Sequence, residues 1–147
     1  MKIRIITVGK KNDSSLDESI NDFTQRISKF SHIEWLVIPS SDIAKESKEI
    51  AKHLDAKDVI VVLDEKGKEI ETKDLAGFIQ KQLNSSVHRL VIIIGGAFGV
   101  SDELKASAQY VLSLSKLTLP HQLVRLLIVE QIYRAFSILN NGKYHHE

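Results

Sequence analysis

The chain has no cysteine, which excludes a disulfide framework, a thiolate metal site and a thiol nucleophile. It has only two prolines, Pro39 and Pro120, so few points break a helix or strand by force. No apolar run approaches the ~20 residues of a membrane span. The apolar core of MKIRIITVGKK is too short for a secretory signal, so a cytoplasmic protein is the expectation. An excess of either charge is missing as well. Twenty Lys and Arg against nineteen Asp and Glu leave a formal net charge of +1, without the footprint of a general nucleic-acid binder. An RNA substrate would need a local basic patch or a preassembled target. No G-x-G-x-x-G, P-loop or G-x-S-x-G pattern occurs, so dinucleotides, nucleoside triphosphates and a serine-hydrolase elbow lack support. Repeats, low-complexity segments and linkers are absent too, and 147 residues fit one domain, 1–147.

What is present alternates. Lys2–Val8, Ile33–Ile38, Val59–Leu63, Leu90–Ile94 and Tyr110–Leu114 read as strands, several of them unbroken apolar runs of the kind buried on both faces of a parallel sheet. Between them lie helical patterns. Leu16, Ile20, Phe23 and Ile27 stripe Ser15–Phe30. Ile43, Ile50 and Leu54 stripe a helix opened by Ser40–Asp42. Leu75, Phe78, Ile79 and Leu83 stripe a helix capped by Thr72. Ser101-Asp102-Glu103 starts another, with acidic side chains at its positive end. Asp64–Ile70 reads as a charged loop around Gly67. The pattern is that of an α/β domain, a mostly parallel sheet with helices on both faces.

The last helix, Pro120–Leu139, is unlike the others. Leu123, Leu127, Ile128, Ile132 and Phe136 recur at helical spacing, and Val124, Leu126 and Val129 add apolar side chains off that stripe. One buried face needs one stripe. This helix therefore packs in the middle of its own domain or against a second copy of the protein. Glu130 and Arg134 stand four apart and suit an i,i+4 pair worth ~0.3–0.5 kcal/mol. Arg125 has His121, Gln122, Ile128 and Val129 at its helical neighbour positions, hence no carboxylate. A buried unpaired charge is costly, so an anionic partner outside the helix is expected.

Three stretches carry candidate chemistry. Gly95-Gly96-Ala97-Phe98-Gly99 follows a buried strand and precedes a helix, at the sheet edge where open α/β folds bind ligands. It is either a close-approach ligand loop or a tight turn with no ligand. Leu114–Leu119 alternates polar and apolar before Pro120 and reads as a strand end plus loop. The tail Lys143-Tyr144-His145-His146-Glu147 follows the helix stop Asn140-Asn141-Gly142. Adjacent histidines lack a third ligand at suitable spacing, so no metal is expected. His32, His53 and His88 read as surface side chains. His121 is either a structural helix-start residue or a catalytic one.

LSLSKLTLPHQLVRLLIVEQIYRAF, IIIGGAFGV and the terminal YHHE together resemble the RlmH family, over the whole chain. These are SPOUT-class methyltransferases that use S-adenosylmethionine to modify a pseudouridine of 23S ribosomal RNA at N3. The resemblance implies a SPOUT fold with a C-terminal trefoil knot and a homodimer pairing through the last helix. It implies donor contacts at Leu63, Gly95 and Leu114, Ser115, Lys116, Leu117, Thr118 and Leu119, with Gly96 as a neighbour. Arg125, Tyr144 and His145 are expected on the RNA side, with His145 or His121 assisting proton removal. The partner is ribosomal RNA within the ribosome, with no membrane and no metal. Two other functions share the fold: a non-catalytic ribosome-associated binding module, and a SPOUT methyltransferase acting on transfer RNA.

Overall fold

In the computed structural model, which describes residues 1–146, five strands alternate with five helices. They are β1 (Lys2–Val8), α1 (Ser14–Ile27), β2 (His32–Ile38), α2 (Ile43–Ala51), β3 (Val59–Glu69), α3 (Thr72–Asn84), β4 (Arg89–Ile94), α4 (Asp102–Ser107), β5 (Tyr110–Ser113) and α5 (His121–Leu139). The strands form one sheet in the order β2-β1-β4-β3-β5, with every neighbouring pair parallel.

The side-chain period of two turns the apolar strands into two cores. Ile3, Ile5, Val61, Leu90, Ile92, Ile94 and Leu112 face one side with α1, α3 and α5. Ile6, Val8, Ile60, Val62, Val91 and Ile93 face the other, under Ile50 of α2 and Leu104 of α4. Both faces are thus covered, as continuous apolar strands require.

α5 lies between α1 and α3 and contacts both. Ile128, Val129, Ile132, Ala135 and Phe136 are buried. Phe136 stacks on Phe30 with ring centroids 5.3 Å apart. No residue of α5 is fully exposed. Much of its wide apolar surface is therefore used within the protomer, by a helix on each side and the sheet beneath, while Leu123 and Leu127 of the same stripe are only half-buried.

Three local details differ from the sequence expectation. Asp64–Ile70 is mostly strand rather than loop. β3 runs to Glu69, with Leu63 and then Lys68 set opposite Leu112 of β5, so residues 64–67 bulge out of the ladder. Gly67 makes the return possible: a Cβ there would lie 2.8 Å from the carbonyl carbon and oxygen of Val111. Their charges made 64–69 look like loop because they stand on a bulge, outside the core. Helix α3 is capped by Glu71, whose backbone N–H donates to Asp74 at 2.9 Å. Thr72 instead donates its hydroxyl to Gln131 of α5. Pro120 is the N-cap of α5, with ψ at 135°, rather than its first helical residue.

At the amino edge of the sheet, Arg89 holds Asp58 through two hydrogen bonds of 2.8 and 2.6 Å. Burial raises the Asp58 pKa, but these bonds, the backbone N–H of Asp55 and the Arg89 charge outweigh it and hold the carboxyl below the usual range. A carboxylate with a depressed folded pKa stabilises above its unfolded value and loses that contribution as pH falls through the folded one. Asp58→Asn should cost roughly 3 kcal/mol at pH 7, the low end for breaking a buried pair because Arg89 keeps some solvent access. Denaturant melts of both proteins should show the gap narrowing only below about pH 4, where Asp58 of the unfolded chain begins to protonate, and closing as pH falls through the lower folded value.

Candidate active site

β4, β3 and β5 are neighbours in the sheet, so the segments leaving their carboxyl ends emerge side by side. They enclose a cleft of about 320 Å³, within the range of small-molecule sites. The Gly95–Gly99 turn forms one wall. Here Gly99 N–H donates to the Gly96 carbonyl at 3.0 Å, and Gly99 adopts φ +81°. Residues 63–66 form the second wall, and 114–119 the third. The first turn of α5 closes the cleft with His121 and Val124.

Of the residues implicated by the resemblance, Leu63, Gly95, Gly96, Leu114, Ser115, Leu117, Thr118 and Leu119 line this cleft together. Lys116 does not. Its ammonium donates to the carbonyls of Glu65 and Gly67, at 3.0 and 2.6 Å, and so ties the third wall to the second. Thr118 adds a hydroxyl bond to the Glu65 carboxylate at 2.9 Å. Ser115 accepts from the Leu117 N–H, giving the loop an internal turn.

The glycines are needed by the turn itself. A Cβ on Gly95 would sit 2.8 Å from the backbone of Gly99, and one on Gly96 would sit 3.1 Å from Val8 and 3.2 Å from Glu46. Close approach of the chain to itself therefore accounts for both, and a substitution at Gly95 must disturb the turn as well as any ligand.

Among the lining residues that sequence reasoning missed, Asp64, Lys105 and Phe98 stand out. Asp64 stands at the end of the apolar run of β3, a position that could have marked it. Lys105 comes from α4, and only the tertiary fold brings it to Asp64, 2.6 Å away. Burial raises the Asp64 pKa, but the Lys105 hydrogen bond, the Lys66 N–H and the nearby ammonium charges bring it below the usual range. Phe98 is 85% exposed in the glycine turn, and Leu117 on the opposing loop is 72% exposed. An aromatic inside a glycine loop was the available signal for the first.

His121 packs against the turn after β1. Gly9, at φ +119°, leaves it room, since a Cβ there would come within 3.3 Å of His121 Nε2. Burial, then the Arg125 charge, pushes the His121 pKa below the ordinary imidazole value, so the ring is neutral at pH 7.

Arg125 is fully buried. One of its terminal nitrogens donates to the Lys10 carbonyl at 2.8 Å and to Asn12 Oδ1 at 3.1 Å, and the other to the Val8 carbonyl at 3.4 Å. This corrects the expected anionic partner: neutral acceptors of the β1–α1 turn surround the guanidinium, which has no solvent access. Nε remains without a partner. Burial lowers the Arg125 pKa, against a smaller opposing effect of Asp13.

The tail is anchored, and it lies elsewhere. Tyr144 donates its hydroxyl to Glu130 at 3.1 Å. Its ring meets that of Tyr133 at 4.9 Å, with the Arg134 guanidinium 4.7 Å from its centroid. Burial and then the Glu130 charge raise the Tyr144 pKa. His145 Nδ1 is 3.2 Å from an Arg134 nitrogen. Arg134 and Glu130 form the expected i,i+4 pair, with Nε to Oε1 at 2.9 Å. At 1.5 Å rise per residue, Glu130 lies roughly 14 Å along the axis from His121. Tyr144 and His145 thus do not meet the cleft of their own protomer. Glu147 lies outside the described residues. Among the described residues no three His, Asp or Glu side chains are grouped to hold a metal, and no helix is long and apolar enough to cross a membrane.

A family model described as "Predicted SPOUT methyltransferase" matches residues 1–145. Over 157 aligned positions covering all of both chains, the sequence is 40% identical to the ribosomal RNA large subunit methyltransferase H of Bacteroides thetaiotaomicron. It is 39% identical to that of Cytophaga hutchinsonii, over 99% of this chain and 100% of the other. Among solved structures, a probable methyltransferase from Bordetella pertussis Tohama I superposes with TM-score 0.57 over 91% of this chain and 95% of that one, at 10% identity. A probable methylase family protein from Haemophilus influenzae does so with TM-score 0.57 at 16% identity, over 95% and 66%. At such identities the structures speak for the fold alone. The full-length sequence matches carry more, and by them the chain belongs to the SPOUT methyltransferases and, within them, to the RlmH family.

Proposed function

We propose that this protein transfers a methyl group from S-adenosylmethionine to N3 of a pseudouridine in large-subunit ribosomal RNA, on the assembled ribosome and hence in the cytoplasm. The observation that carries the reading is the convergence of three loops, at the ends of adjacent strands, on one cleft. That cleft contains all the residues the resemblance implicates in donor binding except Lys116. The full-length relatives named for ribosomal RNA methylation support the acceptor class. Threading of the C-terminal segment into a trefoil knot is part of the same proposal, and rests on family membership.

The cleft suits this donor chemically. Its apolar walls, with Leu63, Ile94, Leu114 and Val124, can sandwich a nucleoside, and the glycine turn offers backbone groups to read it. Asp64 and Glu65 favour a ligand with a cationic sulfonium and an ammonium group, and Lys105 can meet its carboxylate. No phosphate cradle is needed. When bound, S-adenosylmethionine supplies an activated methyl group. The protein must then hold the acceptor nitrogen in line with it, an orientation task. It must also remove the weakly acidic N3 proton and stabilise the charge that spreads onto the base carbonyls. His121, neutral and at the cleft, is placed to accept a proton. Arg125, one turn further, adds a fixed positive potential from behind the cleft wall. Tyr144 and His145 serve the acceptor base from the partner subunit of a homodimer, because their own cleft is too far. The exposed Phe98 and Leu117, beside the cleft, are the apolar surface that such a pairing would cover.

Calorimetry with S-adenosylmethionine should show saturable binding near one site per protomer. Gly95→Ala should weaken it at least tenfold and lower the melting temperature by a few degrees, because the Gly95–Gly99 approach is disturbed at the same time. Wild-type donor affinity in that variant would move the site away from the glycine turn.

Sedimentation at micromolar concentration should give a dimer. Truncation after Gly142 should leave donor affinity and dimer intact while slowing single-turnover methylation of ribosomes by a factor of about 100 or more. A monomer, or full-rate methylation by the truncated protein, would remove the tail from the mechanism.

A further inference from the structure

The near-neutral net charge leaves open how an anionic substrate is gripped, and the turn between β1 and α1 supplies an answer. Residues 8–13 are latched to the first turns of α5 at several points. Gln122 accepts from the Asp13 N–H at 3.1 Å and donates to the Lys11 carbonyl at 3.3 Å. Arg125 takes the carbonyls of Val8 and Lys10 and the side-chain oxygen of Asn12. The two partners lie more than a hundred residues apart in sequence. The side chains of Lys10 and Lys11 point outward and are exposed. Lys45, Lys52 and Lys105 are engaged by carboxylates, whereas neither Lys10 nor Lys11 is in any ion pair among the described residues.

Unpaired surface lysines are common, and alone these two would mean little. The clamp beneath them is uncommon. A fully buried arginine with no carboxylate bonded to it, and with one N–H unsatisfied, is an expensive way to hold a turn. An apolar residue would fill the same space more cheaply. What the arginine adds is a fixed positive charge held against the backbone of the lysine turn, opposed locally by Asp13. The turn also adjoins the cleft. The His121 ring lines the cleft and lies against Gly9 of the turn. A base entering the cleft past His121 would carry its flanking phosphates over Lys10 and Lys11.

We propose that Gln122 and Arg125 are positioning residues that hold the β1–α1 turn beside the methyl-donor cleft, so that Lys10 and Lys11 bind the phosphate backbone flanking the target nucleotide. This rests on the ribosomal RNA reading above. It also gives Arg125 a role on the RNA side that is compatible with its burial, acting through the turn it holds.

The test is binding to large ribosomal subunits across a salt series, alongside methylation kinetics and donor calorimetry. Lys10→Ala/Lys11→Ala changes only exposed side chains. It should raise KM for ribosomes about tenfold. It should also make the slope of log K against log salt shallower by about 1.5, since each lost phosphate contact removes roughly 0.7–0.9. Donor affinity should not move. Arg125→Lys, which keeps the charge but not the forked bonding, should raise the same KM with donor affinity retained. Unchanged KM and salt slope in the double variant would overturn the patch while leaving the enzymatic reading in place. Salt-dependent binding by a wild type that methylates no RNA would overturn the enzymatic reading and leave the patch. A wild type that binds no ribosomal RNA would overturn both. A double variant weakened equally at all salt concentrations would also count against phosphate contact.

Discussion

A helix with so wide an apolar surface needs cover on more than one side, and the cover that α5 finds organises the molecule. The sheet lies beneath it, α1 on one flank and α3 on the other. Those flanking helices can reach it only because β1 and β4 sit at the centre of the sheet, with β3 and β5 to one side. Burial of a Leu, Ile or Phe side chain is worth about 1.5–3 kcal/mol. The five fully buried apolar residues of α5 therefore bind three helices and the sheet into one cooperative unit.

The same placement makes the site. Because α5 runs back from the carboxyl edge of the sheet, its first turn stands against the loops that leave β3, β4 and β5, and it contributes His121 and Val124 to their cleft. Pro120 sets the angle at which the chain enters the helix. The loop before it has no apolar core of its own. It is held instead by Lys116 and Thr118 reaching across to the β3 bulge. A loop fixed by polar bonds over a cleft, at the end of rigid strands, is the arrangement a binding site needs. At its other end α5 carries Glu130 and Arg134, which fasten Tyr144 and His145 through charge-assisted bonds and ring contacts. One helix thus spaces the cleft from the anchored tail, and its length keeps them apart within a protomer.

Electrostatics follow a consistent economy. The charged groups at the sheet edges, Asp58 with Arg89 and Asp64 with Lys105, are paired tightly enough that hydrogen bonds outweigh burial. Arg125 is the exception. Its hydrogen bonds go to neutral oxygens, with only the nearby charge of Asp13 to assist, and its own charge is felt by His121. A cation is therefore kept in the core next to the cleft, where it shapes the potential without being reachable by solvent.

The alternation of apolar strands with amphipathic stripes determined the α/β class, both cores and the unusual burial of α5, because period and hydrophobicity are local properties that survive in a linear string. The three segments that line the cleft could also be located, since a strand's carboxyl end is found wherever the strand is, but their assignment to a methyl donor came from the family resemblance and not from any local pattern. Three things were decided only by the fold. Strand order β2-β1-β4-β3-β5 depends on which crossovers pack best, and no residue encodes it alone. Lys105 reached Asp64, and the β1–α1 turn reached Arg125, across separations of 41 and more than a hundred residues, so nothing in the local pattern signalled either pair. The partner of Arg125 was expected to be an anion because its helical neighbours offer no carboxylate. Three oxygens from a distant turn met that need instead, because a guanidinium has five N–H donors and the backbone is the densest source of acceptors inside a folded chain.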